Sequence, residues 1–217
     1  MRKPDVTLNG ILMDGLGWLR EGINFPAPQP QTSTIIVPGR NSPIRYTEAL
    51  GRVSYQPRIF DITLSCLKYR EDFNRMADEI INRFAGRLVD VILSEEPALY
   101  HVGTLGITPG YDPLAHKGQL AINSSDAGAY RYHTEETVAV QNGSGTAVLI
   151  NDFMPAVPTV TVTDETTLKW QVGNDRFIKT VSAGTWTFPE LELMQGENEI
   201  EITTDGTVTF RYREGRL

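Results

Sequence analysis

Residues 58–93 read RIFDITLSCLKYREDFNRMADEIINRFAGRLVDVIL, and this stretch decides the fold class. It begins with alternation: Phe60, Ile62, Leu64 and Cys66 share one parity, and Asp61, Thr63 and Ser65 the other. A period of two marks a strand with one buried face. At Asp72 the period changes. Phe73, Met76, Ala77, Ile80, Ile81 and Phe84 are spaced to line one side of an α-helix. Glu71 and Asp72 suit the positive end of the helix dipole, Arg83 suits the negative end, and Gly86 can close the C-terminus. The spacing predicts a single helix over about 72–85. Leu88 to Leu93 is then almost wholly apolar, as for a strand buried on both faces. With no second helical pattern, repeated βαβ units are excluded, and the stretch predicts a mostly antiparallel sheet carrying one helix.

The flanking sequence extends this picture. Val6 and Leu8 alternate with polar neighbours, and Thr34 to Val37 is a β-branched run stopped by Pro38-Gly39. Ser94-Glu95-Glu96-Pro97 reads as a turn, Tyr100 to Leu105 as the returning strand, and Gly118 to Asn123 as a later one. Residues 25–31 and 108–117 are rich in Pro or Gly and read as loops that cannot pair fully in a sheet. From about residue 133 the texture changes to short alternating strands: Val160/Val162, Leu168/Trp170/Val172, Trp186/Phe188, Ile200/Ile202 and Val208/Phe210/Tyr212. Turn signals separate them at Asn142-Gly143, Gly173-Asn174, Ala183-Gly184, Gln195-Gly196 and Asp205-Gly206. The expected fold class is mainly β. A sandwich-like N-terminal domain with one α-helix spans 1–132, and a galectin-like or jelly-roll β-sandwich spans 133–217.

Composition limits the function classes. The net charge is −7 and the basic residues are scattered, which argues against tight nucleic-acid binding, since phosphate neutralisation supplies most of such affinity. The single cysteine, Cys66, cannot form an internal disulfide or a multi-cysteine zinc site, and its parity places it in the core. No apolar run approaches the roughly 20 residues that span a bilayer, and Met1-Arg2-Lys3-Pro4-Asp5 lacks a signal-peptide pattern. Synthesis in a cytoplasm, without membrane attachment, is the expectation.

No catalytic constellation is legible. His101, His116 and His133 have no partner at metal-ligand spacing. Gly143-Ser144-Gly145 lacks the third glycine and the following helix of a dinucleotide loop. Glu95-Glu96 and Glu135-Glu136 are adjacent pairs, which a strand would point to opposite faces. A non-enzymatic protein without cofactor or metal is expected.

The order of features then matters. Val37-Pro38-Gly39-Arg40-Asn41-Ser42-Pro43-Ile44 is followed by Tyr46, the alternating strand, the amphipathic helix and a strand pair. In the second half Asn151, Pro155 and Pro158 precede one strand, and Gly196-Glu197-Asn198 precedes another. This arrangement resembles the distal tail (Dit) protein family of long-tailed bacteriophages, across nearly the whole chain. The resemblance implies a structural protein of the virion tail tip. N-terminal domains would form a homo-hexameric ring joining the tail tube protein to the tail-tip or baseplate hub protein, with a channel left for DNA. A receptor-binding protein is a further implied partner. Pro38, Gly39, Arg40 and Tyr46 become candidate interface residues, Arg40 as an anchor of loop geometry or of a subunit contact, or as an ordinary surface arginine. The competing reading is a carbohydrate-binding sandwich that stacks sugars on Trp170 and Trp186, although both lie on the core parity of their strands.

Overall fold

The computed structural model describes residues 5–45 and 53–217. The chain forms two compact units, Met1–Ala129 and Tyr130–Leu217.

The first unit contains β1 (Val6–Leu8), β2 (Ile11–Leu12), β3 (Leu19–Asn24), β4 (Thr34–Ile35), β5 (Ile44–Arg45), β6 (Arg58–Leu67), α1 (Arg70–Phe84), β7 (Leu88–Leu93), β8 (Leu99–Thr104), β9 (Gly106–Asp112) and β10 (Lys117–Ala127). Its strands run in the orders β2-β1-β7-β8 and β3-β6-β10-β9, with β4 and β5 as a separate hairpin. These described ladders are all antiparallel. The register opposes Ile62 to Ile122 and Leu64 to Leu120, so β6 and β10 present one continuous apolar face. That face shares a core with Val6 and Leu8 of β1 and with Val89, Val91 and Leu93 of β7. Burying each such side chain contributes about 1.5–3 kcal/mol.

Helix α1 begins two residues before the expected start and ends at Phe84. It sinks Phe73, Ala77, Ile80 and Phe84 into the same core. Gly86 takes a φ of +70° just past the helix; its N–H bonds Leu105 O, while the next N–H, of Arg87, returns to Phe84 O at 3.2 Å.

Two expectations are corrected. Leu88–Leu93 is not buried on both faces: Val89, Val91 and Leu93 point inward while Leu88 and Asp90 are exposed. The helix covers part of the unit's core from elsewhere, which leaves the outer side of β7 to solvent. Residues 108–117 are also not a loop throughout, because β9 pairs with β10 along its length, Pro109 opposite Leu120. Its proline is tolerated because β9 lies at a sheet edge, where a missing N–H leaves no ladder bond unmade. Residues 25–31 do stay outside regular strands, held by a bridge between Pro30 and Tyr55.

The second unit contains β11 (Arg131–His133), β12 (Thr137–Asn142), β13 (Gly145–Asn151), β14 (Thr159–Val162), β15 (Thr166–Val172), β16 (Asp175–Val181), β17 (Gly184–Thr187), β18 (Gly196–Thr203), β19 (Thr207–Tyr212) and β20 (Gly215–Arg216). β11 pairs with β20. The other eight strands form two antiparallel sheets, ordered β12-β19-β14-β17 and β13-β18-β15-β16. Counted along the chain these are first-eighth-third-sixth and second-seventh-fourth-fifth, the nesting of a jelly roll. Leu149, Val160, Val162, Leu168, Ile200, Ile202, Val208 and Phe210 fill the space between them.

Candidate assembly surfaces

The Pro-Gly-Arg block forms the tip of the β4–β5 hairpin. Pro38 stands second in a four-residue turn, Gly39 follows with φ +80°, and Arg40 N–H donates to Val37 O at 3.1 Å. Proline then glycine in that order is what a type II turn requires, since only the third position needs a positive φ. The turn leaves Pro38, Gly39 and Arg40 exposed, next to the exposed apolar run Ile35, Ile36 and Val37. Ile36 is 84% exposed, which makes the tip sticky as well as solvent-facing. The structure thus gathers three of the four motif candidates at one projecting tip. Tyr46, the fourth, lies outside the described residues.

The two tryptophans part company. Trp170 is 5% exposed, stacks on Phe177 with ring centroids 5.5 Å apart, and donates its indole N–H to Glu190 O at 3.0 Å. It is a core residue, as its parity implies. Trp186 is 38% exposed, against the expectation of a core position. Its inward parity is right, opposite Val160, but β17 is the edge of its sheet, so one side of the indole has no neighbouring strand. The indole N–H is satisfied by Ser182 O at 3.0 Å.

Among the described residues no group of three or more His, Cys, Asp or Glu side chains is placed to hold a metal ion. Cys66 is buried, and desolvation pushes its thiol up, the opposite of what a nucleophile needs. A shallow hollow of about 380 Å³ is lined by Tyr69, Arg70, Tyr111, Pro113 and His116. Within it Arg70 sits 5.3 Å from the Tyr111 ring centre, and Tyr111 Oη donates to Lys68 O at 3.0 Å. The lining offers no carboxylate to pair with His116 for acid–base work.

The most displaced carboxyl is structural. Arg20 and Glu95 form a two-pronged ion pair, and the guanidinium holds Glu95 down at about 2. Arg20 Nη1 also donates to Asp5 O at 3.1 Å, so the pair ties the start of β1 to the β7–β8 turn. Sequence reasoning missed it because its partners lie 75 positions apart and follow no periodicity.

No protein-family model and no curated protein matches the chain in sequence. In three dimensions it superposes on the crystal structure of the SPP1 Dit protein (gp 19.1), described as a paradigm of the hub adsorption apparatus in phages infecting Gram-positive bacteria. The match has a TM-score of 0.72, covers 100% of both chains, and leaves only 12% sequence identity. The chain has a Dit-like fold. A designed double-stranded β-helix also aligns, over 38% of this chain at 16% identity, but its TM-score of 0.25 relates no fold. In the Dit-like frame both units are accounted for, the helix-bearing first and the jelly-roll second. No helix among the described residues is long and apolar enough to cross a membrane.

Proposed function

We propose that this protein is a structural distal tail protein of a long-tailed phage or phage-like particle. In this reading the first unit closes into a ring, commonly of six copies, and each copy carries a galectin-like second unit. The ring joins the tail tube to the baseplate hub or tail tip, offers a dock for a receptor-binding protein, and leaves a lumen for DNA.

One observation carries the reading: the correspondence with the SPP1 Dit structure spans both chains from end to end. Two properties of the chain support it. The net charge of −7 suits a conduit through which a polyanion passes without being held. The hairpin tip of Ile36, Pro38, Gly39 and Arg40 projects apolar and cationic groups, which suits a head-to-tail contact. Electron microscopy of the purified protein tests this. Rings of about six copies are expected, and Ile36→Asp with Arg40→Ala should open them without lowering the melting temperature. Particles that stay single-copy at every concentration, with or without a tail-tube partner, would refute the ring.

A second reading, glycan binding, has one observation in its favour, the partly exposed Trp186. Glycan-array signal lost in Trp186→Ala, with folding intact, would support it.

A further inference from the structure

Arg58 opens β6, the strand between β3 and β10, and its charged side chain is buried. The guanidinium reaches past the ends of both neighbouring strands. Nη1 donates to Pro26 O at 2.9 Å, just beyond β3, and Nη2 donates to Ala129 O at 3.0 Å, just beyond β10. Both carbonyls belong to chain that has left its ladder. Pro26, Pro28 and Pro30 supply no N–H, so the segment after β3 cannot hold itself by a regular ladder. On the other side the β6–β10 register slips between Ser124 and Ala127, and β10 ends at Ala127. A rigid planar fork can span two fixed acceptors, which a lysine ammonium cannot do in the same way.

The Pro26 side is the root of the hairpin arm that carries the Pro-Gly-Arg tip. β3 and β6 are partners, so the chain between them leaves the sheet and returns to it. At its root Phe25 stacks on Phe60 with centroids 4.6 Å apart. Further out Gln56 N–H donates to Gln29 O at 2.8 Å, Gln31 N–H donates to Ser54 O at 2.7 Å, and β4 pairs with β5. Ala129, on the other side, is the last residue of the first unit. One buried guanidinium thus bridges the root of the arm and the point where the chain leaves that unit.

We propose that Arg58 is a positioning residue that couples the seating of the arm to the seating of residues 128–129. Either carbonyl, when it moves, withdraws an acceptor from the same rigid group. A buried cation that loses one acceptor turns toward those that remain, which weakens the bond on the other side. The coupling is a property of the single chain. Its consequence rests on the ring reading: an arm with a loose root presents Ile36 and Arg40 less well, so ring closure depends on how the chain departs at Ala129.

Hydrogen exchange on the full chain, at a dilution where each copy stands alone, tests the coupling. The amides of Gln31 and Gln56 report on the arm, and those of Leu64 and Ile122 in the β6–β10 core report on intact folding. Arg58→Gln should speed both arm amides by about tenfold or more while the core amides hold. An extra glycine between Gly128 and Ala129 displaces the Ala129 carbonyl from outside the arm. It should speed the same two amides in the wild-type background and add nothing in Arg58→Gln, the non-additivity expected when one group serves both sites. Arg58→Lys keeps the charge without the fixed span, so it should also speed the arm amides, and it decides the question if Arg58→Gln does not fold. Arm amides unchanged in the Arg58 variants, no response to the inserted glycine, or the same response with and without Arg58 overturns the proposal. Rings are scored separately on concentrated protein. A wild type that never closes refutes the ring reading and leaves the exchange result to decide the coupling.

Discussion

Gly118 on β10 lies directly beneath the ring of Phe73 on α1: a Cβ at that glycine would stand 2.1 Å from Phe73 Cδ2. The ring cannot retreat, because it also meets Trp18 edge-on at 6.2 Å and Tyr111 at 5.3 Å. The missing side chain is therefore what lets the helix settle on β9 and β10. Gly118→Ala should destabilise the protein by about 1–3 kcal/mol, the usual cost of overfilling a packed core. Gly110, on the neighbouring β9, has open space around its Cβ direction, so Gly110→Ala should stay within about 0.5 kcal/mol of wild type. Urea midpoints of the two variants check this. Equal effects would mean that the helix is not seated on Gly118.

The tryptophans should separate by the same measurement. Trp170→Ala removes a buried indole stacked on Phe177 and frees Glu190 O, and should cost about 3–5 kcal/mol. Trp186→Ala removes a ring with one open side, and should cost about 1 kcal/mol, in the range of ordinary substitutions. A Trp186 variant that unfolds would place that ring deeper in the second unit's core than its exposure indicates.

Asn198 is the device behind the Gly196-Glu197-Asn198 turn. Its carboxamide oxygen accepts Met194 N–H at 2.8 Å, while Nδ2 reaches Met194 O at 2.8 Å, Gly196 O at 3.1 Å and Leu149 O at 3.3 Å. One side chain thus stitches the turn to β13. Asn198→Ala leaves these backbone groups unpaired, and about 1–3 kcal/mol of stability should be lost. Asn198→Asp keeps the acceptor for Met194 N–H but sets a carboxylate oxygen against the carbonyls of Met194, Gly196 and Leu149, so it should melt no higher than alanine.

The architecture was legible wherever burial is one-sided. β6, β14, β18 and β19 alternate in sequence because each has one face in a core, and α1 shows a clean apolar stripe for the same reason. The errors fall where a strand's surroundings depend on residues far away. Leu88–Leu93 looks doubly buried by composition, yet nothing in its own sequence says what covers its outer side. β9 looks like a loop because Pro109 and Gly110 are poor strand formers, and only its edge position makes them acceptable. Trp186 has the inward parity, but parity does not reveal that β17 is an edge. The hairpin tip was readable as a turn from Pro38-Gly39, whereas its projection into solvent was not.

The Arg20–Glu95 pair makes a prediction about acid. Arg20 is almost fully buried, its side chain 5% exposed, while Glu95 remains half in water. Hydrogen bonds from the guanidinium draw Glu95 from its ordinary 4.5 down to about 2. A carboxyl depressed on folding contributes stability above its unfolded value, and the contribution is lost as pH falls through the folded one. The window therefore runs from about pH 4.5 down to about pH 2. Solvent screens the exposed end of the pair, so the contribution is about 1 kcal/mol or less. Glu95→Gln should be somewhat less stable than wild type at pH 7, and the two should converge as the pH approaches 2. Glu21 and Asp126, also depressed by their hydrogen-bonding partners, add to the slope of both proteins alike and cancel in the difference. Urea titrations at stepped pH read that difference directly. Curves that run parallel from pH 7 to pH 2 would mean that Glu95 has the same affinity for its proton in the folded and unfolded chain, and that Arg20 is held by Asp5 O alone.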